Sequence, residues 1–160
     1  MSDASFQDGQ ENPLRLRAES PEDLQVISAL VQDAVLQSSE ISWQPKRHRL
    51  ALLINRFRWE DRDAAEKSVR PFERVRTMLV IDSALRVAAN GIRPDDKDTI
   101  LSTLALEFAP TDDGAGTLTL ILAGDGAIAV DVECLDVMLQ DVSRPYKAQA
   151  KAVPQHGEDG

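Results

Sequence analysis

The side chains most able to do chemistry in this chain are one thiol, one histidine in the periodic part of the sequence, and a run of carboxylates. Cys134 is the only cysteine. A cysteine nucleophile needs a base or a positive charge nearby to hold the thiolate. His48 is the only histidine outside the C-terminal tail, where His156 lies. Cys134 and His48 are therefore the one nucleophile–base pair available, against the plainer reading of an inert cysteine buried behind an apolar strand. Asp131 and Glu133 stand two apart, so on a strand both leave the same face. With Asp125 or Asp136 they could hold Mg²⁺ or Ca²⁺, or serve as acid and base. The alternative is that they form the solvated face of a half-buried sheet. Asp95-Asp96-Lys97-Asp98 lacks the glycine and closing glutamate of a calcium loop. No glycine-rich phosphate loop occurs, and Gly124-Asp125-Gly126 joins two expected strands with no helix N-terminus to receive a phosphate. No metal site and no cofactor is expected.

Basic residues make the main binding candidate. Lys46, Arg47, His48 and Arg49 sit around one expected hairpin loop beside Trp43. Arg56 and Arg58 follow, interleaved with Phe57 and Trp59. Arginines alternating with aromatics suit phosphate contact with base stacking. The opposing reading makes the aromatics core residues and pairs the arginines with acidic strands near the C-terminus. That acidity is pronounced. Asp98 to Ser143 carries nine carboxylates and no Lys or Arg, whereas Pro45 to Arg76 carries ten Lys or Arg against five Asp or Glu. Two faces or edges of the fold should therefore differ in potential.

The bulk numbers narrow the classes. A chain of 160 residues suits one domain with a continuous core. One cysteine allows no internal disulfide, so nothing requires an oxidising compartment. Met1 to Asn12 has no apolar run of the kind a signal peptide carries, and no segment approaches a membrane span. A cytoplasmic protein with no membrane partner is expected. A net charge of −9 opposes nonspecific nucleic-acid binding.

The elements that must position these residues begin with a short strand, Leu14 to Ala18, with Leu14 and Leu16 inward and Arg15 and Arg17 outward. Ser20-Pro21-Glu22-Asp23 is a helix start: a capping hydroxyl, a proline with no N–H to satisfy, and two acids at the positive end of the dipole. The apolar stripe Leu24, Ile27, Val31, Ala34 and Val35 extends the expected helix from Pro21 to Leu36. Strands are expected at Ile41–Gln44 and Arg49–Trp59 around the Pro45–His48 loop. Glu60 to Arg70 reads as a charged connector. Glu73–Ile81 and Leu85–Ile92 read as two strands or one long bent strand, and Ile100–Phe108 follows. Thr117–Ala123 and Ala127–Val132 form a hairpin about Gly124-Asp125-Gly126. Leu135 to Val142 fits a helix or a strand, with a strand preferred. Short loops between strands imply antiparallel neighbours. The expected fold is α+β: one N-terminal helix packed on a curved, mostly antiparallel sheet of about seven strands. It occupies 13–146 as a single domain, with disordered tails at 1–12 and 147–160.

Several strings carry a resemblance: Glu22-Asp23-Leu24, Leu30-Val31-Gln32-Asp33-Ala34-Val35, Ile54-Asn55-Arg56-Phe57, and Gly126-Ala127-Ile128 with Asp131-Val132-Glu133-Cys134. The sequence resembles a family of small alphaproteobacterial proteins, a domain of unknown function (DUF 2948). The resemblance implies a bacterial cytoplasmic protein and brings no activity or ligand. Two polar pairs inside it, Gln32-Asp33 and Asn55-Arg56, are expected to meet across the helix–sheet interface.

The leading expectation is a non-enzymatic binding or assembly module, a homodimer or a partner of another protein, acting through a sheet face or the basic hairpin (Lys46, Arg47, His48, Arg49, Arg56, Arg58). The alternatives are a small-molecule or hydrolytic site around Asp131, Glu133 and His48, and RNA binding through Lys46–Arg49.

Overall fold

Ser20 opens the only α-helix among the described residues, α1 (Pro21–Leu30), and its hydroxyl accepts the Asp23 amide. The structure, a computed structural model, describes residues 13–61, 73–92 and 98–147. The expected tails apart from Lys147, which lies in a strand, most of the charged connector and the Asp95-Asp96-Lys97 part of the acidic loop lie outside those residues.

The helix stops at Leu30, well short of the expected Leu36. Val31 is its C-cap, and Asp33 takes a left-handed backbone with φ 64°. A strand supplies the reason. Asp33 N–H donates to the Thr103 carbonyl at 2.8 Å, and Thr103 N–H donates to Ala34 O at 2.8 Å. The buried Thr103 hydroxyl also donates to the carbonyls of Val31 and Ala34. Residues 35–37 then form β2, so Val35 continues the apolar stripe without continuing the helix.

The rest of the chain is strand. In order these are β1 (Arg15–Ala18), β2 (Val35–Gln37), β3 (Ile41–Gln44), β4 (Arg49–Phe57), β5 (Glu73–Asp82), β6 (Ala84–Asn90), β7 (Ile100–Pro110), β8 (Gly116–Leu122), β9 (Ala127–Val132), β10 (Val137–Asp141) and β11 (Tyr146–Lys147). They make one eleven-stranded sheet with the path β1-β10-β5-β4-β2-β7-β8-β9-β6, β3 pairing on β4 and β11 on β5. Every pairing is antiparallel. The expected α+β fold with about seven strands is therefore corrected to a mostly β fold. Nine of the eleven strands fall on segments read as strands, which the count of about seven understated; the two that do not are β2, whose residues extend a helical stripe, and the two-residue β11, too short to leave a pattern.

The sheet curls back on itself. β5 passes through Ser83, left-handed at φ 58°, and continues as β6, the far end of the hydrogen-bonded path. The β8–β9 turn is as tight as its glycines imply, with Gly124 and Asp125 both at positive φ. The two halves of the curled sheet send alternate residues into one core. Leu50, Leu52, Ile54, Leu79, Ile81, Val137 and Leu139 come from β4, β5 and β10. Leu106, Leu118, Leu120, Ile128 and Val130 come from β7, β8 and β9. Leu24, Ile27 and Val31 of the helical segment join the same cluster. Because both halves point inward at a shared core, their outer faces look away from each other.

No helix among the described residues is long and apolar enough to cross a membrane.

Candidate functional site

The basic hairpin forms where the proline and the run of cations place it. Pro45–Arg47 is a turn of 3-10 helix, closed by His48 at φ 52°. Lys46, Arg47 and His48 are exposed. The His48 ring Nδ1 lies 3.2 Å from the Ala84 carbonyl, and Ala84 N–H donates to His48 O, which ties the hairpin to the start of β6. Arg49 pairs across the strands with Asp82, Nε to Oδ1 at 2.8 Å.

Arg56 and Arg58 do not join this cluster. Even-numbered residues of β4 point into the molecule, and Arg56 is 0% exposed. Its guanidinium and Nε donate to Thr77 Oγ1 at 3.1 Å, to Phe57 O at 3.1 Å, to both oxygens of Glu60 at 2.9 and 3.0 Å, and to both oxygens of Asp141 at 3.0 and 3.2 Å. Asp141 further accepts from the Thr77 hydroxyl and the Leu14 amide. Arg58, 9% exposed, pairs with Glu73 and lies near Glu60. A buried charge must be paired and hydrogen-bonded, and this network meets that demand fully. Burial opposes the charge on Glu60, yet its hydrogen bonds and attraction to Arg56 outweigh that and hold its carboxyl below the usual value. Burial likewise opposes the charge on Arg56, and Glu60 and Asp141 overcome it, raising its pKa. Two of the six residues expected to bind a ligand are thus committed to internal ion pairs. One of those pairs is with a carboxylate of the acidic C-terminal strands.

The alternative site of Asp131, Glu133 and His48 is brought only partly together: Glu133 N–H donates to Ser83 O and Ala84 N–H donates to His48 O. Asp131 accepts from Thr117 Oγ1 at 3.0 Å and pairs with Arg86 at 3.2 Å on the outer face of β9. Glu133 is exposed beyond the strand end. No hydrogen bond or ion pair joins any two of Asp131, Glu133 and His48. Cys134 is exposed rather than buried, its Sγ 3.5 Å from Ser83 Oγ. It follows β9 in the stretch where the strand pairing breaks, so it does not inherit the strand's inward alternation. The expected meeting of Gln32-Asp33 with Asn55-Arg56 does not occur either. Gln32 offers its carbonyl to Trp59 Nε1 at 2.9 Å, and Asn55 donates to the Tyr146 hydroxyl.

The structure assembles a different surface. Cross-strand register places Arg15, Gln140, Met78 and Leu53 in one outward row, and Arg17, Met138, Val80 and Ala51 in the next. Arg76 stands beside Asn55, Arg74 beside Phe57, and Arg49 beside Asp82 on the same face. Five arginines therefore share the outer face of the β1-β10-β5-β4 half, with Lys46 and Arg47 at its end. Arg74 lies over Phe57, its Cζ 4.0 Å from the ring centre, and donates to Asn55 O at 3.3 Å. Burial lowers its pKa, with Tyr146 acting the other way. Arg17 meets Asp136 at 3.5 Å. Arg15 and Arg76 have no side-chain partner among the described residues. The other half carries Glu107 and Asp131 outward, with Asp112, Asp113 and Asp125 in its exposed turns.

This face also holds a bay of about 190 Å³. β2 bonds to β4 only at Val35–Asn55, and β3 returns to β4 only at Ile41–Leu52. Between these points the chain loops out through the 3-10 turn Ser38–Glu40 and leaves the β4 edge open. Val35, Leu53, Ile100, Asn55, Glu40 and Arg76 line the opening. Sequence reasoning missed it. The excursion of 36–40 is a matter of pairing, and the only sequence sign was the Ser38-Ser39 break.

A family model described as protein of unknown function (DUF2948) matches residues 14–156, and the chain belongs to that family. No curated protein and no solved structure matches it.

Proposed function

We propose that this DUF2948 member is a non-enzymatic binding or assembly module, and that it acts through the arginine-bearing outer face of the β1-β10-β5-β4 half. The observation that carries this is the division of charge between two outward faces. Arg15, Arg17, Arg49, Arg74 and Arg76 lie on one, and Glu107, Asp112, Asp113, Asp125 and Asp131 lie on or around the other. Half-buried Leu53, Phe57, Met78 and Met138 lie among the arginines, so the basic face offers apolar contact as well as charge. Arginine with aromatic and methionine side chains is the composition of an interface core. On this reading the partner is acidic, and a second copy presenting its own acidic face fits. Because the two faces look away from each other, copies joined this way run head to tail in a ring or chain rather than closing as a two-fold dimer, and the protein is then a cytoplasmic assembly of bacterial, alphaproteobacterial origin.

Light scattering at low and at high salt tests the reading. Association at low salt that is lost at high salt, and lost also in Arg15→Glu/Arg17→Glu, supports it. A monomer at all salt concentrations that also fails to bind an acidic protein column refutes it.

A further inference from the structure

The bay beside β2 shares Arg76 and Leu53 with the basic face and adds a carboxylate, Glu40, that a purely basic surface would not use. Arg76 and Glu40 both line it, and neither side chain has an ion pair or hydrogen bond among the described residues. In the structure they stand unpaired on opposite sides of the bay. Arg76 stands on β5 and Glu40 in the turn on the far side of β4. Two strand spacings, roughly 10 Å, separate their backbones. Between them the floor is apolar, built from Val35, Leu53 and the 61% exposed Ile100.

We propose that this bay binds a small aliphatic α-amino acid. Its carboxylate meets Arg76, its ammonium meets Glu40, and its side chain lies on Leu53 and Ile100. A bare carboxylate would leave Glu40 facing a like charge, and a bare amine would do the same to Arg76. Only a zwitterion satisfies both. Size points the same way. At about 190 Å³ the bay is smaller than the ~300–1,000 Å³ usual for drug-sized ligands, so a small molecule suits it. The guanidinium donates in a planar fork that suits a carboxylate. Both charges are solvent-exposed and therefore screened, so a dissociation constant on the order of 1 mM is expected.

The test is a two-dimensional amide NMR titration of the full chain with L-leucine, 4-methylpentanoate and L-leucinamide. Leucine should give saturable shifts at Gln37, Leu53, Asn55 and Ile100. The carboxylate and the amide should each bind at least tenfold more weakly. Arg76→Gln and Glu40→Gln, both at exposed positions that leave the fold intact, should weaken leucine binding by the same factor with unchanged spectral dispersion. Equal binding of 4-methylpentanoate and leucine would overturn the role of Glu40, and equal binding of leucinamide that of Arg76. Absence of saturable shifts with leucine overturns the site. Because the bay shares Arg76 and Leu53 with the assembly face, the titration is repeated on Arg15→Glu/Arg17→Glu: leucine binding kept there while association is lost separates this inference from that reading.

Discussion

Replacing Arg56 with methionine should cost the fold about 3–5 kcal/mol, the usual price of removing one partner from a buried ion network. The number follows from who is left behind. Glu60 keeps a 30% exposed side chain and can return to water, so its loss of Arg56 costs little. Asp141 cannot, because its side chain is 4% exposed. It would retain the Thr77 hydroxyl at 2.8 Å and the Leu14 amide at 2.9 Å, but no positive charge. Those two remaining donors place the expectation at the lower end of the range. Against a typical total of about 5–15 kcal/mol this is a large fraction of the stability, and it corresponds to a fall in melting temperature of about 10 °C for a chain of this size. Urea denaturation followed by far-UV circular dichroism reads it directly, as a lower midpoint with an unchanged slope. Arg56→Met/Asp141→Asn should recover part of the loss, since it removes the stranded charge. A stability for Arg56→Met within about 0.5 kcal/mol of the parent, the range of ordinary surface substitutions, would refute the reasoning that its loss strands a buried Asp141 charge.

Other outcomes follow from the same geometry. Glu60 has a folded pKa below its ordinary value of 4.5. Its contribution is therefore complete above that value and is lost as pH falls through the lower folded pKa. Stability measured by urea titration should drop below about pH 4.5, and Glu60→Gln should flatten that part of the pH profile. Arg56, its pKa raised further above the ordinary arginine value, adds no slope in this window. Thr103→Val should destabilise by about 1–3 kcal/mol, because it strips a buried hydroxyl from the Val31 and Ala34 carbonyls that end α1; differential scanning calorimetry checks it. Cys134, exposed in the structure, should react with a thiol reagent in the native protein as fast as in urea, and protection in the native state would contradict its placement.

Much of the local structure was legible in the sequence. The cap Ser20-Pro21, the β3–β4 hairpin, the Gly124-Asp125-Gly126 hairpin and the outward Arg15 and Arg17 are written in short-range rules, namely period-two alternation, turn chemistry and caps. The segregation of charge along the chain was equally visible, and alternation carried much of it onto outward-facing residues. Legibility failed where partners distant in sequence decide. Ala34 and Val35 fit a helix as well as a strand, and Thr103, some seventy residues away, chose the strand. Arg56 and Arg58 read as a binding motif because alternation does not say which side of β4 faces the core until β5 and β10 bring Thr77 and Asp141 to the same place.

The sequence by itself determined where strands and turns begin, and that acidic and basic residues would be set apart. Only the tertiary structure decided which arginines are spent internally and which face water. It also decided that the chain between β2 and β3 would leave β4 and open a bay. The physical reason is the same in each case. Periodicity is a local property, whereas burying a charge or leaving a strand edge unpaired depends on what the rest of the chain places opposite it.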